Sequence, residues 1–279
     1  MKDVFILDGA MGTSLWKRAG DHSPVWQYNM KYPQTVIDVH REYIAAGSNI
    51  ILTNTFGANK GAVSRYERSV FDVVSEGVRL AKAAAEGTNT KIALSVGPLS
   101  VLLEPYGDLT EEEAEEIYRE QIGAGMSEHP DIIFLETFMD IEMMKVAAHV
   151  AREFDAMLFC SMTFEPVGRT MMGNTVDDVI EGLKDLSPDA IGLNCSLGPE
   201  SALPIIESFK EKTDIPLLFK PNAGKPQVPV GGISENEFNA DVFAGDAYRA
   251  AQLGVKYVGG CCGTDPEYIR KLAKKIRSN

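Results

Sequence analysis

The sequence predicts an α/β protein that folds as a single (β/α)8 TIM barrel, and its alternating pattern carries that prediction. Eight short apolar, β-branched runs recur along the 279-residue chain, and helix-like sequence follows each of them. The runs are nearly continuous in apolar residues, which is typical of parallel strands buried on both faces. A barrel of this kind has about 250 residues. A doubly wound open sheet is the alternative fold.

The elements follow one another regularly from end to end. The predicted strands are residues 4–7, 50–53, 92–96, 131–135, 157–161, 189–193, 215–219 and 255–258. One predicted helix begins at Pro33 and stops at Gly47, a residue type that favours helix C-termini. Another begins at Thr110, with Glu113 three residues later in a capping-box pattern. The last has Thr264 or Asp265 as its N-cap, followed by Pro266.

Nothing in the chain marks a second domain. There is no low-complexity tract and no shift in composition, and the Pro- and Gly-rich stretch 220–232 is explained by one long loop after the seventh strand. Residues 1–279 are therefore predicted to form one domain, which is large enough to bury a substantial core.

Composition and charge limit the classes of partner. The chain carries a formal net charge of -13, which argues against non-specific binding to nucleic acid or to anionic membranes. The N-terminal apolar run ends at Leu7 and is too short for a signal peptide. No stretch approaches the ~18 uncharged residues of a membrane span. Four cysteines do not make a disulfide scaffold. We interpret the protein as cytoplasmic, with reduced thiols.

The stretch GGCCGT, residues 259–264, places two cysteines side by side among glycines. A disulfide between neighbours is disfavoured by geometry. In a barrel, functional residues lie at the C-terminal ends of strands, so Cys195 after the sixth strand and Cys261 and Cys262 after the eighth would share one rim. Three sulfurs and one exchangeable position form the ligand count of a catalytic zinc site. The glycines would give both adjacent side chains the backbone freedom to reach one ion.

The alternative for each cysteine is a small core residue, which is our interpretation of Cys160 within the fifth strand.

At the same rim we expect Asp8, Asn54 and Glu136, each following an apolar run. Two carboxylates facing a pocket could hold an ammonium group. Their ordinary alternatives are a turn residue for Asp8 and a helix start for Glu136. No phosphate-binding glycine loop is present, so a nucleotide cofactor is not indicated.

Six segments resemble motifs of the zinc-dependent homocysteine S-methyltransferases, in that family's order. They are LDGAMGT (7–13), TNTFGAN (53–59), LETF (135–138), GLNCSLGPE (192–200), NAGKP (222–226) and GGCCGTDPEYI (259–269). The resemblance covers essentially the whole chain. It implies a (β/α)8 barrel that binds one zinc through Cys195, Cys261 and Cys262 and anchors its substrate through Asp8 and Glu136. Asn54 and Asn194, which lie in matching motifs, are added as candidate substrate-binding residues.

Within that family, DGAMGT and TNTFGAN are most similar to the homocysteine-binding module of cobalamin-dependent methionine synthase. This sequence ends just after the barrel and leaves no room for folate- or corrinoid-binding modules. The resemblance therefore implies homocysteine as methyl acceptor and a methylated corrinoid on a separate protein as donor. A homocysteine methyltransferase that uses betaine or S-methylmethionine is one alternative.

Two further alternatives lie outside methyl transfer. A zinc- or thiol-binding protein that senses or stores metal is less favoured, since a metal store needs no amine anchor. A metal-free barrel lyase or aldolase is disfavoured because no well-placed catalytic lysine motif is evident.

The chemistry expected of a homocysteine methyltransferase follows from the acidity of thiols. A free thiol has a pKa near ~8.5 and is mostly protonated at neutral pH. Coordination to zinc deprotonates it, and three anionic sulfur ligands leave the bound sulfur electron-rich and nucleophilic. The sulfur then attacks a methyl group in line and gives methionine, with the barrel orienting the pair.

Overall fold

The computed structural model describes residues 4–224 and 239–278, and in this part of the chain eight parallel strands form one sheet. They are β1 (Phe5–Ile6), β2 (Ile50–Leu52), β3 (Lys91–Val96), β4 (Ile132–Phe138), β5 (Met157–Met162), β6 (Ala190–Asn194), β7 (Leu217–Lys220) and β8 (Tyr257–Val258). The pairing order is β1-β8-β7-β6-β5-β4-β3-β2. A parallel bridge between Leu7 and Ile50 joins the two ends, so the sheet closes into the predicted (β/α)8 barrel and the open-sheet alternative is wrong.

Helices surround the strands. They are α1 (Met11–Ala19), α2 (Tyr28–Lys31), α3 (Pro33–Ala46), α4 (Lys60–Val63), α5 (Val70–Ala85), α6 (Glu111–Met126), α7 (Ile141–Ala151), α8 (Val176–Leu183), α9 (Pro199–Lys212), α10 (Ala240–Gln252) and α11 (Pro266–Arg277). No described helix is both long and apolar enough to span a membrane.

The predicted helix ends are confirmed. Gly47 ends α3 in the left-handed conformation, with φ of 113°. Thr110 begins α6, and its reciprocal hydrogen bonds with Glu113 complete the capping box. Asp265, rather than Thr264, is the N-cap of α11 and accepts a hydrogen bond from the Glu267 N–H. The long loop predicted over residues 220–232 lies largely outside the described residues.

The barrel interior changes character along its axis. Its lower part is a separate apolar cluster that consists of Leu7, Ile50, Leu52, Ala93, Ile132, Phe134, Phe159, Ala190, Leu218 and Tyr257. Side chains of a strand alternate between its two faces, so the residues two positions further along point to the same interior. These are Ser95, Glu136, Ser161 and Lys220, and all four are buried. The interior is therefore apolar below and polar at the C-terminal ends of the strands.

Close contact between β6 and β7 requires a glycine. A Cβ built at Gly192 in β6 would overlap the carbonyl oxygen of Leu218 in β7. The clash is with backbone, which cannot rotate away as a side chain could.

We expect Gly192→Ala to lower the free energy of unfolding by about 1–3 kcal/mol, because added volume at a packed position forces backbone movement. Gly245→Ala in α10 is the matched control, since among the described residues nothing beyond its own stretch of helix lies within 4 Å of its Cβ position. That control should be neutral or gain up to ~1 kcal/mol from helix propensity. Urea unfolding followed by circular dichroism measures both, and equal stability of Gly192→Ala and the wild type would contradict the expected overlap.

Candidate active site

Three cysteines meet at the C-terminal rim of the barrel. The sulfurs of Cys195, Cys261 and Cys262 all lie within 4.8 Å of one another, and those of Cys195 and Cys262 are 3.8 Å apart. Among the described residues this is the one cluster of three or more potential metal-ligating groups. Cys160 lies apart, buried in β5, as the sequence predicts.

The spacing of the sulfurs suits a tetrahedral ion. Zinc–sulfur bonds of ~2.3 Å in tetrahedral geometry separate two sulfurs by about 3.8 Å, which is the distance between Cys195 and Cys262. The cysteines differ in exposure: Cys195 and Cys261 are half-buried and Cys262 is exposed. Three thiols on one side, with solvent access at Cys262, leave room for a further ligand on the other.

Strand β7 fixes the two cysteine segments relative to each other. The Cys195 N–H donates to the carbonyl of Lys220, and the Cys261 N–H donates to the carbonyl of Pro221. Cys195 itself has φ of 62° and the next residue, Ser196, has φ of 51°. Two successive non-glycine residues in the left-handed region are uncommon, and such strain is concentrated at functional sites.

The glycines around Cys261 and Cys262 have a different reason from the predicted one. Of the three, Gly263 alone has a left-handed φ, of 81°. A Cβ at Gly259 would lie 2.6 Å from Leu7 Cβ, and one at Gly260 would lie 2.5 Å from Thr264 Oγ1. Gly259 is thus required by close packing where β8 meets β1 and Gly260 by the side chain of Thr264, and backbone freedom applies only to Gly263.

Crowding makes the three thiols weak acids. The hydrogen bond with Cys195, together with burial, raises the pKa of Cys261 to about 12 against the opposite effect of Cys262. At Cys195 the largest effect, the hydrogen bond with Cys261, lowers the pKa, but the hydrogen bond with Cys262 and burial together raise it to about 11. The thiols are therefore protonated near neutral pH, and a metal ion that takes them as thiolates would displace protons.

Two buried carboxyl groups face the same cavity. Asp8 Oδ2 accepts a hydrogen bond of 2.8 Å from the Leu52 N–H, so this carboxylate joins β1 to β2 rather than forming a turn of its own. Glu136 accepts one of 2.5 Å from Ser95 Oγ. It lies inside β4, which continues to Phe138, so it does not begin a helix. Burial raises the pKa of both carboxyl groups, and the positive charge of Lys220 opposes that rise.

Lys220 is the site residue that the sequence analysis did not select. It ends β7 with 3% exposure, and its Nζ lies 3.2 Å from Asp8 Oδ1. Burial lowers its pKa, but the charges of Asp8, Cys261 and Glu136 outweigh burial, so the net direction is upward and the amine is protonated. The rule that selected Asp8 also points to this position, since Lys220 follows the seventh apolar run directly. Lysines are rarely buried, which makes the position easy to overlook.

Asn54 and Asn194, the two candidate substrate-binding asparagines, differ in their position relative to the cavity. Asn54 lines the cavity, and its Nδ2 donates to Val25 O and Asn29 Oδ1. Asn194 is fully buried: its Oδ1 accepts from the Thr137 N–H and from Ser161 Oγ. Its Nδ2 donates to Thr137 Oγ1, with Cys261 Sγ 3.8 Å away. The expected substrate contact of Asn194 is therefore not what its geometry favours, because its amide group is occupied behind the cavity.

The groups described above surround a cavity of about 450 Å³. Its lining includes the three cysteines, Asp8, Glu136 and Lys220. Its apolar wall comes from residues inserted after β1 and β2, namely Met11, Trp16, Val25, Trp26 and Phe56. The cavity thus combines an apolar wall, a thiol cluster and a buried charged group, which suits a small zwitterion that carries a sulfur.

The barrel, the cysteine cluster and the buried carboxyl groups together define a (β/α)8 barrel with a candidate metal site at its C-terminal rim. The family model for homocysteine S-methyltransferases matches residues 5–276, and the chain belongs to this family. A methionine synthase of Mycobacterium leprae is 27% identical over 296 residues, and one of Mycobacterium tuberculosis is 27% identical over 293 residues. Each alignment covers 98% of this chain and 24% of the relative, so the chain spans about a quarter of the length of these relatives.

Solved structures confirm the fold. The metallated form of the homocysteine methyltransferase MmuM from Escherichia coli has a TM-score of 0.84 at 21% identity, covering 98% of this chain and 96% of that chain. A type I 3-dehydroquinate dehydratase from Clostridium difficile has a TM-score of 0.56 at 12% identity, covering 99% and 93%. Both share the barrel fold with this chain.

Proposed function

We propose that this barrel is a homocysteine-binding domain that holds one zinc ion through Cys195, Cys261 and Cys262 and methylates homocysteine to methionine. The observation that carries the proposal is the meeting of three sulfurs and two buried carboxylates at one cavity, in a chain that belongs to the homocysteine S-methyltransferase family. When bound, zinc supplies the positive charge that favours the thiolate form of homocysteine.

The chain's own residues bind and orient the substrate in this proposal. Asp8 and Glu136 receive the ammonium group of homocysteine, since both are buried, face the cavity and hold only part of their hydrogen-bonding capacity within the protein. Asn54 remains a candidate contact from the cavity wall. The apolar side chains of Trp16, Trp26 and Phe56 exclude water from the reacting sulfur. With its ammonium group held by these carboxylates and its sulfur at the cysteine cluster, the substrate presents that sulfur toward the open end of the cavity.

The alternatives outside methyl transfer lose support in this geometry. A metal store needs neither the carboxylates nor the apolar wall. A metal-free lyase that forms a Schiff base needs a neutral amine nucleophile, and the structure does place a lysine at the rim. The ion pair of Lys220 with Asp8 keeps that amine protonated, however, so it is a poor nucleophile.

The donor in our proposal is a methylated corrinoid carried by a separate protein. The described loops at the mouth expose large apolar side chains: Tyr106 is 76% exposed, Val167 80% and Met171 70%. They lie after β3 and β5, on the face that holds the cysteines. Apolar side chains of this size around a site are typical of a surface that another protein covers. A small donor such as betaine or S-methylmethionine would need no such surface, and it is the second candidate.

Zinc content tests the ligand assignment. We expect about one zinc per chain in the wild type, strongly reduced zinc in Cys262→Ser because a thiolate ligand is lost, and unchanged zinc in Cys160→Ser. Mass spectrometry of metals after dialysis measures this. Undiminished zinc in Cys262→Ser would contradict the assignment, and thermal melting separates zinc loss from unfolding in both variants.

Homocysteine binding tests the anchor. Asp8→Asn keeps an acceptor for the Leu52 N–H but removes the charge and replaces the other oxygen by an NH2 donor, and Glu136→Gln does the same toward Ser95. Each should weaken homocysteine binding by about tenfold to a hundredfold, because hydrogen bonds to charged groups are the stronger ones. Zinc content should not change. Asp177→Asn, which removes an exposed carboxylate that pairs with Lys212, is the control and should bind normally.

Isothermal titration calorimetry measures homocysteine binding in the wild type and in these variants. The same experiment counts the protons that are released on binding. Wild-type protein should release about one proton on binding homocysteine near neutral pH, since a mostly protonated thiol becomes a ligand. Buffers of different ionisation enthalpy reveal that number. Binding without buffer dependence would show that the thiol does not ligate the metal, and zinc loss in Asp8→Asn or Glu136→Gln would reassign those residues to structure.

A donor panel tests the methyl source. With homocysteine fixed, we expect methionine from methylcobalamin, slowly because its carrier protein is absent, and little from betaine, S-methylmethionine or methyltetrahydrofolate. Addition of a methylated corrinoid protein should raise the rate. Fast turnover with a small sulfonium or ammonium donor would replace the donor in this proposal and leave the homocysteine site unchanged.

A further inference from the structure

Lys220 is a buried charge that the proposed chemistry does not use. It is 3% exposed at the end of β7, where period-two alternation directs it into the barrel above Leu218. Of the described residues that line the cavity, it is the one cation. A lysine is retained in such a place only when its charge is compensated, since an unpaired buried ammonium is very costly.

The compensation comes chiefly from Asp8. Lys220 Nζ lies 3.2 Å from Asp8 Oδ1, and both side chains are almost completely buried. Asp8 Oδ2 is held by the Leu52 N–H, whereas Oδ1 has no well-aligned hydrogen bond within the described residues. The ion pair with Lys220 is thus the contact that sets the direction of Oδ1, and it leaves acceptor capacity on that oxygen.

The balance of charges shows which ligand the free acceptor capacity of Asp8 Oδ1 suits. When both carboxyl groups are ionised, Asp8 and Glu136 bring two negative charges to one buried region, and Lys220 brings one positive charge. The ammonium of an amino acid would supply the second positive charge and make the group neutral. Without Lys220, one ammonium would face two carboxylates, and one carboxylate would be left uncompensated in a region of low dielectric.

Resting on the proposed function, we propose that Lys220 is a positioning residue for the ammonium group of the thiol substrate and acts through Asp8. It orients Oδ1 toward the cavity and balances the second carboxylate, so that two anionic anchors can coexist before the substrate arrives. It makes the site select thiols that carry an α-ammonium group, and it takes no part in the contact with the substrate carboxylate.

The test compares two thiols by calorimetry with zinc-loaded protein and no donor: homocysteine, and 4-mercaptobutyrate, which lacks the ammonium group. Lys220→Met should weaken homocysteine binding by about thirtyfold or more, because Asp8 Oδ1 loses the contact that directs it and with it a charged hydrogen bond to the ammonium group. Binding of 4-mercaptobutyrate should change by less than about threefold. In turnover, KM for homocysteine should rise while kcat at saturation is largely retained. Lys212→Met, which removes an exposed pair with Asp177, is the matched control.

A double-mutant cycle identifies the route of the effect. In an Asp8→Asn background, Lys220→Met should cause little further loss of homocysteine binding, because its partner has already lost the charge through which it acts. Equal losses in both backgrounds would overturn the inference. Equal losses for homocysteine and 4-mercaptobutyrate would also overturn it, since they would indicate that Lys220 contacts the substrate carboxylate. If Lys220→Met does not fold, Lys220→Gln, which keeps a donor but no charge, gives the same comparison.

Different outcomes contradict the proposed function and the role proposed for Lys220. Normal homocysteine binding by both the wild type and Lys220→Met overturns the role of Lys220 and leaves the proposed function intact. Failure of the wild type to bind homocysteine contradicts the proposed function, and this inference with it. Recovery of binding in Lys220→Arg, relative to Lys220→Met, supports a positioning charge, since a merely structural filler would not depend on charge.

Discussion

Closure of the barrel between its first and last strands is the constraint on which the site depends. Asp8 and the pair Cys261–Cys262 are some 250 positions apart in sequence and meet only because β1 pairs with β8. The junction is tight: the Gly260 N–H donates to Asp8 O over 3.0 Å, and the Ala10 N–H donates to Thr264 O over 3.2 Å. Gly259 and Gly260 permit that approach, since neither position has room for a Cβ. Asp8 and two of the three clustered cysteines, Cys261 and Cys262, are therefore held by one seam of the barrel.

Above the seam, the barrel interior solves an electrostatic problem. Two carboxyl groups and one ammonium are buried beside the cysteine cluster, and charges in a buried region must be balanced locally. The barrel separates apolar side chains from charged side chains along its axis. Large apolar side chains fill the lower barrel, and the charged groups begin only where the strands end. Hydrogen bonds from Leu52 and Ser95 fix the carboxylates that a substrate would meet.

Much of this was predictable because periodicity and cap chemistry act locally. All eight strands and the ends of α3 and α6 follow from apolar runs, Gly47 and the Thr110 capping box. The cysteine cluster follows from the rule that strand ends share a rim. What could not be predicted depends on pairing between distant residues. The burial of Lys220 requires Asp8 as its partner.

The same dependence on distant partners explains two smaller differences. The role of Gly259 requires the backbone of β1 beside it, and the occupation of Asn194 requires Thr137 and Ser161. Sequence placed both residues near the site correctly. It assigned them the functions that their residue types most often have, backbone freedom and substrate contact, because nothing in the local sequence indicates a neighbour from another strand.

The closed topology also determines where the chain enters and leaves the barrel. Strand β1 starts at the face opposite the cysteines, and α11 ends at that face, where Arg277 Nη2 donates to the carbonyl of Gly47 just before β2. Both ends of the described chain are therefore on the far side of the barrel from the mouth. Attachment to a surface, a tag or another protein through either end would leave the mouth directed toward solution. A protein that approaches the cysteines would come from the side of the loops that follow the strands.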